Sequence, residues 1–203
     1  MKVLCVGRNY AKHAREMGAP DGGPVVWFWK PDSAIVHDGQ HVLLPPGVGA
    51  VHHEVELAVR MGRTLRKVKP EEALRHLDGM TVAVDVTARD LQAEAKKAGG
   101  PWDQAKGYDT FLPLGPWHPV DRDLQALHLR LSVNGHIRQE AKTNEMTLPV
   151  GELLARASQW TTLNPGDVVL TGTPDGVGPI VAGDRMEAEL VGLAKVRNPV
   201  AAG

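Results

Sequence analysis

The chain reads as a mostly β, α+β protein of 203 residues. Three observations carry that expectation. Its 22 glycines and 15 prolines are spread along the chain, so regular elements are short and turns are frequent. The apolar runs between them are brief and rich in β-branched residues, as in Thr81-Val82-Ala83-Val84-Asp85-Val86. Helical character is confined to a few stretches. No segment has the composition of a linker, so residues 1–203 are expected to fold as one domain. A chain of this size can bury roughly 70% of its unfolded surface.

Residues 2–6 form the first predicted strand, since Val3-Leu4-Cys5-Val6 is continuous and apolar. Residues 9–17 follow as a helix with Asn9 as N-cap. Pro20-Asp21-Gly22-Gly23-Pro24 is a loop. Residues 25–29 are a strand closed by Lys30-Pro31, and 41–44 are another. Pro45-Pro46-Gly47 leads into 51–59, where charged and apolar residues alternate until the strand ends near Met61-Gly62. Residues 70–77 suggest a short helix, and 81–86 a strand with a carboxylate, Asp85, at its end. Thr87 and Asp90 have capping-box spacing, which starts a helix that Gly99-Gly100-Pro101 stops after Ala98.

Residues 111–117 are broken by Pro and Gly and read as loop. Residues 127–133 alternate as a strand, and Asn134-Gly135 turns the chain into 136–138 as a hairpin. Residues 149–160 are the strongest helix, with Val150, Leu153, Leu154 and Ala157 on one face. Pro165-Gly166-Asp167 turns into strand 168–171; a Gly/Pro-rich loop and a last strand over 184–190 follow. Val200-Ala201-Ala202-Gly203 has the composition of a tail.

The 23 basic and 24 acidic residues nearly cancel, which argues against nucleic acid or an anionic membrane as partner. No apolar run approaches the roughly 20 residues of a membrane span. The lone cysteine, Cys5, lies in an apolar run and reads as a small buried hydrophobe, suited to a reducing cytoplasm. No leader segment is apparent, because the apolar opening breaks at Gly7-Arg8.

Four constellations could carry chemistry. Glu54 and Glu56 sit on one face of a strand, with backbones roughly 6–7 Å apart. Such a pair repels by about 2–3 kcal/mol at an effective dielectric near 20. Either the face is solvated and the pair screened, or a cation lies between them. Asp85 offers a third oxygen ligand, and three carboxylates without cysteine suit Mg²⁺ or Mn²⁺ rather than Zn²⁺. His13 and Glu16 are i,i+3 neighbours on a helix: a general base with its orienting carboxylate, or a mixed-charge surface. Arg89, Gln92 and Lys106 could donate to a substrate carboxylate or oxyanion. Lys96 and Lys97 on the same helix resemble a solvated basic face. Thr171-Gly172-Thr173-Pro174 could hold a small anion, but no Gly-Lys-Ser/Thr follows, so a P-loop is rejected.

The order of these motifs is more telling than any one of them. Gly7-Arg8-Asn9-Tyr10 with His13 and Glu16 comes first, then Lys30-Pro31, then His52-His53-Glu54-Val55-Glu56-Leu57. Asp85-Val86-Thr87-Ala88-Arg89-Asp90-Leu91-Gln92 follows, then Lys106-Gly107-Tyr108-Asp109, Thr171-Gly172-Thr173-Pro174-Asp175-Gly176, and Arg197-Asn198-Pro199-Val200. Over nearly its whole length the chain resembles the fumarylacetoacetate hydrolase family, in the short form related to acylpyruvate hydrolases and 2-hydroxyhepta-2,4-diene-1,7-dioate isomerases.

The resemblance implies an α+β, mostly β fold: a mixed sheet rolled into a barrel-like β-sandwich with peripheral helices, assembled as a homodimer. It implies one Mg²⁺ or Mn²⁺ on Glu54, Glu56 and Asp85. It implies His13 and Glu16 as the dyad that activates water or moves a proton, with Lys106 as a further catalytic group. Arg8, Arg89, Gln92 and Thr173 would bind a small 2-oxo acid. The expected activity is isomerisation or C–C hydrolysis through an enolate. Oxaloacetate tautomerisation or decarboxylation is the alternative, and a non-catalytic metal- or ligand-binding relative is the rival of another class. The intact dyad and Lys106 argue against that rival. Two departures stand out: Trp27-Phe28-Trp29 is bulkier than the aliphatic run expected there, and 17–24, expected to form a lid near His13, is short and Gly-rich.

Overall fold

The computed structural model describes residues 1–18 and 23–203. The centre of the expected lid, 19–22, lies outside them. The chain opens with β1 (Val3–Gly7), α1 (Ala11–Glu16), β2 (Val26–Lys30), β3 (Ile35–Val36) and β4 (Val42–Leu44). β5 (Val51–His53), β6 (Val55–Met61), α2 (Pro70–Ala73), β7 (Leu77–Val84) and β8 (Thr87–Ala88) come next. Then follow α3 (Arg89–Ala98), α4 (Asp103–Lys106), β9 (Leu112–Pro113), β10 (His128–Val133) and β11 (His136–Lys142). α5 (Val150–Trp160), β12 (Val168–Leu170), β13 (Gly178–Ile180), β14 (Arg185–Leu190) and β15 (Ala194–Ala202) complete the chain.

Two five-stranded mixed sheets dominate, in the orders β2-β1-β12-β6-β7 and β11-β10-β14-β15-β4. Each contains one parallel pair, β1 with β12 and β15 with β4. Both orders are open, so neither sheet closes into a barrel. Leu57, Val59, Val82 and Val84 of the first sheet and Leu129, Leu131, Ala188 and Leu190 of the second are all buried in one shared apolar core. Each buried Leu or Val among them contributes roughly 1.5–3 kcal/mol. A three-stranded sheet, β13-β5-β8, lies at the end where β5 runs into β6.

Most sequence expectations hold, and the exceptions have physical causes. Asn134 and Gly135 both have positive φ, 53° and 79°, as the hairpin turn requires. α5 buries Val150, Leu153, Leu154 and Ala157 as its spacing predicts. Asn9 is not the N-cap of α1, which is Tyr10. Its side chain instead bridges the Leu148 backbone and the Thr171 carbonyl. Thr87 and Asp90 form no capping box: Thr87 Oγ1 donates to the Asp85 carbonyl and Asp90 accepts from the Ala50 N–H. The expected tail belongs to β15, whose alternating Ala194, Val196, Asn198 and Val200 face inward. Pro199 is tolerated there because it lies where pairing passes from β14 to β4. No helix among the described residues is long and apolar enough to cross a membrane.

Candidate active site

Strand ends build the floor of the site. Glu54 is the single residue between β5 and β6, where the chain leaves the three-stranded sheet for the first large one. Glu56 shares its face two residues later. Asp85 follows β7 directly, and its N–H donates to the Glu54 carbonyl at 2.8 Å. Each carboxylate offers one oxygen within 4.8 Å of the others. All three residues are buried, at 4%, 1% and 0% exposure, which removes the solvent-screened reading of the pair. At an effective dielectric near 20, two charges so placed repel by about 3–4 kcal/mol.

Three cations offset this repulsion unevenly. Lys106 Nζ donates to Glu54 at 2.7 Å, to Asp85 at 2.6 Å and to Thr87 Oγ1 at 2.7 Å. Lys30 Nζ stands 2.9 Å from Asp85 Oδ1 and donates to the carbonyls of Val86, Lys106 and Phe111. Arg89 pairs with Glu54 Oε1 at 2.5 Å. Among the described residues Glu56 accepts only the Gly172 backbone N–H, at 2.6 Å. Burial pushes the Glu54 carboxyl up, but Lys106 and Arg89 hold it well below its ordinary range. Glu56 is pushed well above its range by burial, Asp85 and Glu54 together. Although burial opposes it, Asp85 and Glu54 raise the Lys106 ammonium.

One buried carboxylate therefore lacks a cation among the described residues. Asp85 Oδ1 also has no well-directed hydrogen bond, although Lys30 Nζ is near. An all-oxygen donor set with this charge deficit fits a hard divalent cation.

α1 brings the dyad alongside. His13 is buried, and its Nδ1 lies 3.1 Å from Glu16 Oε2. The other oxygen of Glu16 accepts the Gly176 N–H at 3.2 Å, tying α1 to the loop after β12. Within that loop Gly172 has φ +98°, and a Cβ there would meet Asn9 Cβ at 2.8 Å. Only glycine lets the backbone turn there and aim its N–H at Glu56. Thr173 is buried, and its hydroxyl accepts from Gln139 Nε2 at 2.8 Å. Gln139 Oε1 in turn accepts the Val55 N–H at 3.0 Å and faces His53 Nδ1 at 2.9 Å. His52 Nδ1 accepts from Arg89 Nε at 3.3 Å. Burial lowers both histidines and keeps their rings neutral.

α3 supplies one wall. Arg89, Gln92 and Lys96, at i, i+3 and i+7, share a face. Arg89 donates to Gln92 Oε1 at 2.5 Å. One narrow cleft is lined by Arg8, His13, Glu54, Glu56, Arg89, Gln92, Lys106 and Thr173, so eight sequence-predicted residues meet in one place. Asp85 lies beneath it, and Glu16 backs His13. A roomier hollow of about 650 Å³, lined by His41, Asn134, Arg185 and Glu187 among others, contains none of these groups, so volume does not mark the site.

Four residues of the site had no role there in the sequence reading: Lys30, which entered only as part of the Lys30-Pro31 motif, Gln139, Trp102 and Lys96. Lys96 is the correction of most consequence. It does not lie on a solvated face but lines the cleft. Its ammonium stands 5.2 Å from the Trp102 ring centroid. The bulky 27–29 segment does not line the cleft: Phe28 is buried beneath Lys106, and Trp27 and Trp29 pack on Trp160.

A family model described as fumarylacetoacetate hydrolase C-terminal matches residues 2–201. An oxaloacetate tautomerase of Escherichia coli (strain K12) is 47% identical over 91% of this chain and 86% of its own length. A fumarylpyruvate hydrolase from Pseudomonas aeruginosa, solved in complex with Mn²⁺ and pyruvate, superposes with a TM-score of 0.96 at 35% identity, covering 100% of this chain and 90% of that one. A 2-hydroxyhepta-2,4-diene-1,7-dioate isomerase from Mycobacterium marinum superposes at 0.88 with 41% identity, covering 99% and 74%.

Proposed function

The chain belongs to the fumarylacetoacetate hydrolase family, and from that premise we propose that it is a divalent-metal-dependent enzyme moving protons on small 2-oxo acids, with keto–enol tautomerisation of oxaloacetate as its leading reaction. The observation that carries this is the convergence of a buried Glu54–Glu56–Asp85 triad with the His13–Glu16 pair in one cleft. Glu54, Glu56 and Asp85 would hold Mg²⁺ or Mn²⁺. The cation, when bound, supplies Lewis-acid stabilisation of negative charge that builds on the substrate's oxygens.

The chain's own groups do the rest. Glu16 engages Nδ1 of His13, which leaves Nε2 as the nitrogen that exchanges a proton with substrate in the cleft. The Gly176 N–H fixes Glu16 from behind, so the imidazole is held in one orientation. Lys106 offers a permanent positive charge beside the carboxylates and is placed to steady charge on substrate oxygen. Thr173, locked by Gln139, and Gln92, locked by Arg89, bind and orient the acid.

Tautomerisation takes the lead over C–C cleavage because the Escherichia coli oxaloacetate tautomerase is more similar in sequence than the Pseudomonas hydrolase, at 47% against 35% identity. Cleavage of a fumarylpyruvate-like acid is the second reading, favoured by the TM-score of 0.96 to that hydrolase. It would use the same dyad to activate water.

The test is the ultraviolet decay of enol-oxaloacetate with Mg²⁺ present. The wild type should accelerate it, and His13→Ala should lose roughly 10²–10⁴-fold in kcat while retaining the metal. Normal turnover by His13→Ala would overturn the dyad assignment. Cleavage of fumarylpyruvate with no effect on oxaloacetate would move the chain to the second reading.

A further inference from the structure

The charges of the cleft do not cancel at its rim. Lys30, Lys106 and Arg89 are each paired with the carboxylate triad. Arg8 and Lys96 line the same cleft, yet neither has a carboxylate within ion-pair distance among the described residues. Both stand over one aromatic ring: Arg8 Cζ is 6.0 Å, and Lys96 Nζ 5.2 Å, from the Trp102 centroid. A cation over an aromatic face keeps part of its stabilisation without a counter-ion and remains free to take an anion.

The chain accepts local costs to build this arrangement. Arg8 has φ +67°, a left-handed backbone that a non-glycine residue adopts only where its surroundings impose it. Gly7 beside it leaves room for the ring, since a Cβ there would lie 2.9 Å from Trp102. Lys96 is only half-buried, whereas its neighbour Lys97 points to solvent. Burial, Arg89 and Arg8 together lower the Lys96 ammonium to about 8, consistent with a region of positive potential.

We propose that Arg8 and Lys96, seated on Trp102, form an anion subsite at the rim of the cleft that reads the distal carboxylate of a 2-oxo dicarboxylic acid, with Lys96 as its specificity-determining residue. The inference rests on the proposed 2-oxo acid chemistry and assigns the chain a preference within it. The proximal end of the substrate faces the triad, Gln92 and Thr173. The distal charge is met by cations that have no other anion. A neutral or apolar distal group would leave them unpaired.

The test compares oxaloacetate with its 4-amide, which keeps the carbon frame and removes only the distal charge. The wild type should prefer the diacid in kcat/KM by about tenfold or more, the worth of one or two charge-assisted hydrogen bonds. In Lys96→Gln that preference should fall to about a third or less, through KM for the diacid rather than kcat, and Lys96→Arg should restore it. Lys96 is half-buried and makes no ion pair among the described residues, so the variants should fold, as circular dichroism can verify. An undiminished preference in Lys96→Gln, or equal use of the two compounds by the wild type, would overturn the subsite while leaving the proposed reaction intact. Turnover of neither compound would overturn the proposed reaction and the subsite with it.

Discussion

Glu56 is the residue in which the site's physics is most concentrated. It is buried among like charges with the Gly172 N–H as its one donor among the described residues, and it is held well above its ordinary value of 4.5. Glu56→Gln keeps the shape and removes the repulsion. It should therefore stabilise the metal-free protein by about 1–2 kcal/mol, a few degrees in Tm, while abolishing metal-dependent stabilisation. The pH dependence follows in sign. Because Glu56 is raised in the fold, the folded state holds the extra proton above about 4.5, and metal-free stability falls as pH rises through the raised value. Glu54 is lowered, so its contribution is present above 4.5 and lost as pH falls below it. In chelator, Tm should peak near the ordinary carboxylate range and decline towards neutrality, and the decline should be absent in Glu56→Gln. Melting curves between pH 4 and 8 check both. Lys30 is the opposite case: it is buried with Asp85 and three carbonyls. Lys30→Met should cost about 3–5 kcal/mol by leaving Asp85 short of a counter-charge.

At the scale of elements, the site depends on short connections rather than on long strands. The turn after β12 places Gly172 against Glu56, Thr173 in the cleft and Gly176 against Glu16. Gly172→Ala meets Asn9 and an unfavourable φ of +98°. It should cost about 2–3 kcal/mol and weaken the metal site as the N–H leaves Glu56; urea denaturation and metal titration would read the two effects separately. This scale also separates what was legible from what was not. Alternation alone put Glu54 and Glu56 on one face, and Asp85 stood out as a charge ending an apolar strand. Lys30 carried no such signal, because a lysine before a proline reads as a strand stop. Gln139 lies on the alternating strand β11, where any polar residue reads as solvent-facing. Lys96 could have been found from its i,i+7 relation to Arg89, but the adjacent Lys97 made the whole helix end look solvated.

Across the whole molecule, the cleft lies where α1, the β5–β6 junction, the end of β7, α3 and the loop after β12 converge. These segments are far apart in sequence, so their meeting was legible through the family's motif order and not from local pattern. β15 shows the same limit: Val200-Ala201-Ala202-Gly203 reads as a tail until pairing with β14 and β4 supplies the reason for a strand. Convergence has a measurable consequence. Mg²⁺ should slow amide exchange together in 9–16, 54–60, 84–92 and 171–177, and leave the hairpin turn at Asn134-Gly135 unchanged. Protection confined to one segment would contradict a site assembled from all of them.

The metal-centred reaction requires that Glu54, Glu56 and Asp85 together hold one divalent cation. Calorimetric titration of Mn²⁺ into chelator-treated protein, repeated in buffers of different ionisation enthalpy, tests it most directly. The prediction is one ion per chain, bound with release of protons from the triad, and no binding by a folded Glu56→Gln variant. Equal affinity and equal proton release in wild type and Glu56→Gln would contradict it.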